Sequence, residues 1–430
     1  MKFLFKIIIA FLIIFNWRIP YLYNTVVLSM VITTIYYIFN NRTIPFTYFF
    51  QRYNAIIFIG TVVIAFVIFA ITMFHGTEIM NNIQRRMWVL LLMLFAMIYV
   101  LPMFIEDQKS SAFEIVSIII CYTFALQGLI HLTAFLYEPL GDYLFEMKPE
   151  GLKEKVYTAN VARFRLYCLS GIVFVELAAA YGVAFMLFFR LLLNNSIHPY
   201  FNSWVKYVVL FLIFTGTALS GRTGFVGLGL GVLLWVIFSY DRIFIFLKHN
   251  FFNILLVSSM VVLAYNFLLT PNQRKMFNDE LFPFAFEWYY SYRDYGTFNV
   301  GSLEGTETHY YRLYDETLLK GHGVVPDLHT TYENSDAGYI NNLVFGGIPY
   351  LILLIIYQGL YFFLPISIAR KEKVFSNRVD ATLFILFFLY IFLLNYKTTA
   401  IGTIHIVETL LIAAGSSYVT RYYSQQEEQN

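Results

Sequence analysis

The chain has 430 residues, of which 59% are hydrophobic and only 13% are charged. A soluble domain of this size cannot bury so much apolar surface, so the composition predicts an all-α, polytopic integral membrane protein. The net charge of +2 gives no indication of a nucleic-acid partner. The two cysteines, Cys121 and Cys168, lie in apolar segments, and no CxxC, HExxH or DxD motif occurs. We therefore expect no disulfide framework, no metal site and no cofactor.

The apolar segments predict about twelve membrane spans, each near the roughly 20 residues that a helix needs to cross a bilayer. The N-terminal segment MKFLFKIIIAFLIIFNWRIP has a basic start and an apolar core but no small-residue cleavage site, so we interpret it as the first span. The predicted spans are residues 3–15, 20–39, 54–74, 87–105, 113–136, 166–193, 204–219, 224–240, 251–269, 337–368, 381–394 and 400–418.

Two polar stretches, residues 137–165 and 270–336, interrupt the spans. The basic cluster RKEKVFSNR, Arg370–Arg378, is typical of a cytoplasmic loop and follows the second stretch by one span. This predicts that residues 270–336 form a long extracytoplasmic loop and that both chain termini are cytoplasmic. An excess of basic residues on the inner side supports the orientation only when the long outer segments are left out of the count. We expect residues 1–430 to form one transmembrane domain that includes this loop.

The first polar stretch ends in Arg163 and Arg165, just before a span that carries Glu176. Two interpretations stay open. The arginines are either interfacial anchors, with Glu176 paired to a basic side chain elsewhere, or they belong to a functional site together with a carboxylate inside the membrane.

The motif Ser220-Gly221-Arg222-Thr223-Gly224 opens another predicted span. Arg222 is either an anchor that reaches the lipid headgroups, or an anion ligand next to the free backbone N–H groups of a helix N-terminus. The following GLGLG lies within a span rather than after a strand, so it is not a nucleotide-binding loop. Gly227 and Gly231 form a GxxxG pattern, which predicts close approach of a neighbouring helix.

The long loop contains most of the candidate chemistry. Residues 271–296, including Arg293, combine aromatic and charged residues and predict an amphipathic segment on the membrane surface. Residues 308–320, THYYRLYDETLLK, predict a helix that carries Arg312 and ends at Gly321 as its C-cap. Polar residues then cluster above the next span. Each alone is typical of a solvated loop, whereas together they form a candidate catalytic group: His322, His329, Glu333 and Asp336.

In this order, SGRTG at the head of a span, an arginine-bearing helix in a long outer loop, G-H-G, S-D-x-G-Y-I and G-G-I-P resemble the Wzy-type bacterial polysaccharide polymerases and the related O-antigen ligases. The resemblance covers roughly residues 163–351. It implies a metal-independent glycosyltransferase of the bacterial plasma membrane that polymerises polyprenyl-diphosphate-linked oligosaccharide repeat units at the outer face. The implied partners are these lipid-linked oligosaccharides, the membrane lipids, a flippase and a chain-length regulator protein.

The resemblance also implies roles for residues. Outward-facing arginines bind the pyrophosphate of the lipid-linked glycan, and the matching positions are Arg165, Arg222 and Arg312, with Arg163 and Arg293 in the same outer set. A late-loop residue assists transfer, which makes Asp336 or His329 the candidate base. Ligases carry a histidine where this chain has Ser335-Asp336, so the pattern favours a polymerase. The alternatives are a ligase and a flippase or transporter of lipid-linked oligosaccharides, which would not need the long outer loop.

Overall fold

The structure is a computed structural model. It describes residues 2–17, 24–40, 42, 46–76, 82–105, 111–147, 175–194, 200–201, 204–240, 269–296, 310, 313–324, 337–371, 378–397 and 405–427, with isolated positions between 255 and 267. Within these ranges all regular secondary structure is helical.

Most helices of the first half coincide with predicted spans, whereas the 3₁₀ turn and α6 lie outside them. They are α1 (Lys2–Phe15), α2 (Thr25–Phe39), a 3₁₀ turn (Phe46–Phe50), α3 (Arg52–Phe74), α4 (Asn82–Ile105), α5 (Ala112–Leu136), α6 (Glu138–Glu146), α7 (Val175–Leu193), α8 (Val205–Ser220) and α9 (Thr223–Ser239).

The second half combines short loop helices with long apolar ones. They are α10 (Pro271–Met276), a π-helical turn (Phe277–Leu281), α11 (Phe282–Ala285), α12 (Glu287–Tyr295), α13 (Asp315–Lys320), α14 (Gly338–Lys371), α15 (Arg378–Lys397) and α16 (His405–Glu427).

Apolar helices of membrane-spanning length show that this is an all-α membrane protein. In the described ranges, six helices are long and apolar enough to cross a bilayer: Arg52–Phe74, Met87–Ile105, Ala112–Leu136, Glu176–Leu193, Gly338–Ile368 and Arg378–Tyr396. Shorter apolar helices are Thr25–Phe39, Val205–Ser220 and Thr223–Ser239. The total of about twelve spans, the orientation and the outer position of the long loop stay predictions.

The chain forms two compact units. The first comprises Met1–Thr25 and Ser117–Phe298, and the second comprises Val26–Val116 and Asn299–Asn430. The expectation of a single domain stays a prediction.

Helix α7 lies in the interior of the first unit, and its side chains from Leu177 to Leu191 are buried. It packs most closely against α9. A Cβ added at Gly227 would lie 2.3 Å from the Cα of Gly182, and one added at Gly224 would lie 2.6 Å from the carbonyl oxygen of Ala178. A Cβ at Gly231 would lie 2.7 Å from the side chain of Phe189, so the close approach predicted from Gly227 and Gly231 is confirmed.

A buried polar contact also lies in the first unit. The Nδ1 atom of His131, on α5, is 3.1 Å from the hydroxyl of Tyr181, on α7. A Cβ added at Gly216, on α8, would lie 2.2 Å from that hydroxyl oxygen. Gly216 therefore provides the space that lets a tyrosine from α7 reach a histidine on α5.

Helix α16 is the corresponding buried helix of the second unit, since every side chain of residues 405–420 is buried. It packs against α3, α4 and α14. A Cβ added at Gly415 would lie 2.2 Å from the hydroxyl oxygen of Tyr53. As at Gly216, a helical glycine provides the space for a tyrosine hydroxyl of a neighbouring helix.

Next to α16, hydroxyl groups of α3 and α14 form a directed chain. Thr61 donates to the carbonyl of Ile57 at 2.8 Å, so its oxygen accepts from Tyr357 at 2.6 Å. The hydroxyl of Tyr357 then accepts from Tyr361 at 2.7 Å. Each buried hydroxyl proton thus has an acceptor, as burial in an apolar environment requires.

Candidate functional site

Arg222 lies where two apolar helices meet. Helix α8 ends at Ser220, and Arg222 occupies the N-cap position of α9, which begins at Thr223. The helix start predicted at this motif is confirmed. The first backbone N–H groups of a helix lack partners within the helix, so this end favours negative charge.

The guanidinium of Arg222 forms an ion pair with the carboxylate of Glu287, the first residue of α12. The side chains retain 23% and 33% of their full exposure. Partial burial weakens solvent screening, so this contact is stronger than a pair on an open surface. The arginine at the head of α9 therefore binds an anion, and in this structure the anion comes from the long loop of the same chain.

The loop segment before Glu287 is fixed to the end of α5. Thr270 and Gln273 form a capping box at the start of α10. The side-chain amide of Gln273 also donates to the carbonyls of Phe135 at 2.9 Å and Leu136 at 3.1 Å. These carbonyls belong to the last two residues of α5, where its ladder of hydrogen bonds ends, so the Gln273 side chain satisfies them.

Apolar contacts hold the same segment against the ends of α5 and α8. Phe135, Leu219, Leu269 and Leu281 form a buried cluster. Nearby, the ring of Phe286 stacks on Phe225 of α9, with 6.5 Å between the centroids.

Beyond Glu287, several side chains are exposed, including Tyr289, Tyr292 and Tyr295. Residues 271–295 form the short helices expected of this loop, whereas their amphipathic character stays a prediction. Their position on a membrane surface stays a prediction.

Arg293 lies on α12 but belongs to a different contact. Its guanidinium pairs with Asp294, with Nε 2.7 Å from Oδ1, and lies 4.7 Å from the ring centroid of Tyr290. The hydrogen bond from Arg293 lowers the pKa of Asp294. Successive helical residues are rotated by about 100°, so Arg293 and Glu287 point about 120° apart. The structure does not join Arg293 to the Arg222 ion pair.

Several predicted site residues lie outside the described residues: Arg163, Arg165, Arg312, His329, Glu333 and Asp336. Their roles stay predictions. Glu176 is described, and it lies partly buried in the first turn of α7.

The helix predicted over residues 308–320 is wrong at its start. Tyr310 and residues 313–314 are not helical, and α13 begins only at Asp315, after Arg312. The reason is tertiary contact. Tyr310 stacks on Tyr396 and donates its hydroxyl to the carbonyl of that residue at 2.8 Å, while Leu313 packs against the buried cluster that contains Ala337. The predicted C-cap is confirmed, because Gly321 has a φ of 66° and its N–H bonds to the carbonyl of Thr317.

The G-H-G and G-G-I-P motifs are joined by backbone hydrogen bonds, and we call this contact the joint. Helix α14 is broken at Gly347, which has a φ of 70°, and Pro349 has no N–H to offer the carbonyl of Phe345. The N–H of Gly323 donates to that carbonyl at 2.8 Å, and the N–H of His322 donates to Val344 at 2.7 Å. The loop thus supplies the hydrogen bonds that the broken helix lacks.

Both sides of this joint require glycine. A Cβ added at Gly321 would lie 2.5 Å from the carbonyl oxygen of Phe345, and one at Gly347 would lie 2.8 Å from the backbone of Leu319. Both residues also have a positive φ, which side-chain-bearing residues rarely adopt.

The side chain of His322 contacts the last turn of α13. Its Nε2 is 2.7 Å from the hydroxyl of Thr317. Desolvation and the nearby imidazole of His75 lower the pKa of His322, and Glu316 opposes them. His75 contacts the turn as well, with its Nε2 3.3 Å from the carbonyl oxygen of Lys320. These contacts assign His322 a structural position in the loop.

Sequence reasoning missed Glu287. Its one signal is a carboxylate at the start of a short helix, which is a favourable position in any helix and does not identify a partner.

Comparison of this chain with protein-family models, curated proteins and solved structures found no match.

Proposed function

We propose that this protein is a glycosyltransferase that polymerises polyprenyl-diphosphate-linked oligosaccharide repeat units into surface polysaccharide on the outer face of the bacterial plasma membrane. The observation that carries the proposal is Arg222, a permanently charged, partly buried side chain at the head of an apolar helix that engages an anion. The motif resemblance supplies the chemical class of the ligand, a lipid diphosphate.

The reaction places the greatest demand on the leaving group. A hydroxyl of the acceptor sugar attacks the anomeric carbon of the donor, a new glycosidic bond forms, and the bond from that carbon to the pyrophosphate oxygen breaks. Negative charge develops on the pyrophosphate at a point where water is scarce. Charge-assisted, bidentate hydrogen bonds from a guanidinium stabilise this charge.

The remaining residues take the roles that the resemblance implies. Asp336 or His329 accepts the proton of the attacking hydroxyl, and Arg165 and Arg312 bind the lipid diphosphate together with Arg222. Arg163 and Arg293 contribute positive charge on the same outer side, with Arg293 next to Asp294 rather than at the Arg222 pair.

A flippase or transporter of the same lipid-linked oligosaccharide is the second candidate. Such a protein places its charges along a path through the membrane, near the middle of the bilayer. The loop favours the transferase, because residues 270–287 are folded and fixed to helix ends by the Gln273 bonds and the Arg222 pair. A catalytic site at the outer ends of the membrane helices is expected to have an ordered loop of this kind.

The glycan profile of a deletion strain separates the candidates. A polymerase deletion leaves surface glycans of a single repeat unit, which is the expected result. Loss of all surface product would indicate a flippase. Full-length chains that accumulate on the polyprenyl carrier would indicate a ligase. Return of long chains on re-expression of the wild-type protein is the control.

A further inference from the structure

The anion site at Arg222 already holds a carboxylate. Glu287 neutralises the guanidinium from the loop side, and neither side chain is fully exposed. Glu287 pairs through Oε2 with Nη1 of Arg222, so a lipid diphosphate that binds this nitrogen must displace the carboxylate. A contact of this kind is an internal competitor.

The segment that carries Glu287 is attached at a second point. Gln273 fixes its start to the carbonyls at the end of α5, and the capping box at Thr270 orders its first turn. At the other end, Glu287 and Phe286 bind α9 through Arg222 and Phe225. We call residues 270–287 the strap, because it is fastened at both ends.

The two attachments differ in chemistry. At the α5 end, hydrogen bonds satisfy backbone carbonyls, and an anionic ligand does not compete for them. At the α9 end, the carboxylate of Glu287 pairs with a guanidinium, and a diphosphate brings more charge and more acceptor oxygens to that guanidinium. The α9 end is therefore the end that a diphosphate can release.

We propose that Glu287 is an internal ligand of the anion site, which a lipid diphosphate displaces on binding, so that the strap opens at α9 when donor is present. This inference rests on the proposed function. In the absence of donor, Glu287 occupies the site and keeps Arg222 neutralised until the substrate binds. The apparent affinity for the diphosphate is then the intrinsic affinity multiplied by the fraction of molecules in which Glu287 is not bound to Arg222.

The test is binding of inorganic pyrophosphate to the purified, full-length protein in lipid nanodiscs. Glu287→Gln keeps the shape of the side chain but removes its charge, so it should bind pyrophosphate at least about tenfold more tightly than wild type, the value of one charge-assisted contact. Glu280→Gln, at an exposed position of the same strap, is the matched control and should bind as wild type does. Arg222→Gln should lose binding in every background.

The outcomes separate the two proposals. Equal affinity of wild type and Glu287→Gln, with loss in Arg222→Gln, would overturn the internal-ligand proposal and leave the diphosphate site standing. Binding that does not depend on Arg222 would remove both this inference and the role of Arg222 in the proposed function.

A second measurement does not depend on how Glu287→Gln folds. Cysteines replace Phe225 and Phe286, whose rings are in contact, in a background in which Cys121 and Cys168 are alanine. A short thiol cross-linker then holds the strap closed. The cross-linked protein should lose pyrophosphate binding, whereas the same protein without cross-linker should retain it. Unchanged binding after cross-linking would overturn the proposal.

Discussion

At Arg222, the two candidate roles make different demands on the side chain. A headgroup anchor needs only charge and reach, which lysine also provides. A diphosphate ligand needs the planar fork of the guanidinium, which lysine lacks. Arg222→Lys should lose one charge-assisted bond, worth about 1.5–3 kcal/mol, or roughly 10- to 150-fold in rate if the bond forms in the transition state.

The measurement is the chain length of surface polysaccharide at matched protein levels. Arg18→Lys and Arg86→Lys, at predicted outer helix ends without such a motif, are the controls and should make wild-type chains. Wild-type chains from both Arg222→Lys and Arg222→Ala would mean that the arginine is an anchor only.

His322 gives a prediction for pH dependence. Its folded pKa lies below the ordinary value because of desolvation and the neighbouring His75. The neutral form is therefore favoured in the folded state. Its contribution to stability is present above the unfolded pKa of about 6.5 and is lost as the pH falls through the folded pKa. We expect the Tm of the wild-type protein to fall from pH 7 to pH 5, and to fall less in His322→Gln. The same pH dependence in both proteins would contradict this role.

At the scale of the helix, the glycines of α9 provide a matched pair. A Cβ at Gly227 would strike the backbone of Gly182 in α7, whereas one at Gly229 would meet nothing within 4 Å. Gly227→Ala should therefore push the two helices apart, with a loss of about 1–3 kcal/mol of stability. Gly229→Ala should be neutral or slightly stabilising, since alanine favours helix. Thermal unfolding in detergent measures both, and equal Tm values would show that the contact is unimportant.

The sequence could predict most helices because apolar runs and glycine spacing are local signals. Gly227 and Gly231 indicate close packing without identifying the partner helix, and Gly321 correctly marks the end of α13. The start of α13 could not be predicted, because Tyr310 and Leu313 are held by residues distant in the chain, including Tyr396. Long-range contacts of this kind leave no periodic pattern.

The candidate site was predictable only in part, for the same reason. Arg222 was recognisable from the glycines around it and from its place at a helix start. Its partner Glu287 was not, since the pair joins positions far apart in sequence and a carboxylate at a helix start is ordinary. The hydrogen bonds between G-H-G and G-G-I-P were equally hidden in the sequence. Pro349 shows that the carbonyl of Phe345 lacks a helical donor, but not that Gly323 supplies the missing N–H.

For the whole molecule, the proposed function requires that the long loop face outward. Cysteines introduced at Tyr295 and Tyr314, which are 81% and 83% exposed, should react with a membrane-impermeant thiol reagent in intact cells. A cysteine at Ser376, within the basic cluster Arg370–Arg378, should react only after lysis. Protection of the loop positions until lysis would invert the topology and place the proposed site on the wrong side of the membrane.

The proposed function requires that arginine, rather than a metal ion, stabilises the leaving group when this chain joins lipid-linked repeat units. The most direct measurement is reconstitution of the purified protein in vesicles with a polyprenyl-diphosphate-linked oligosaccharide as the sole substrate. We expect carriers that bear two or more repeat units, together with released polyprenyl diphosphate, in equal amounts with and without EDTA. No product in either condition, or product that EDTA abolishes and magnesium or manganese restores, would contradict it.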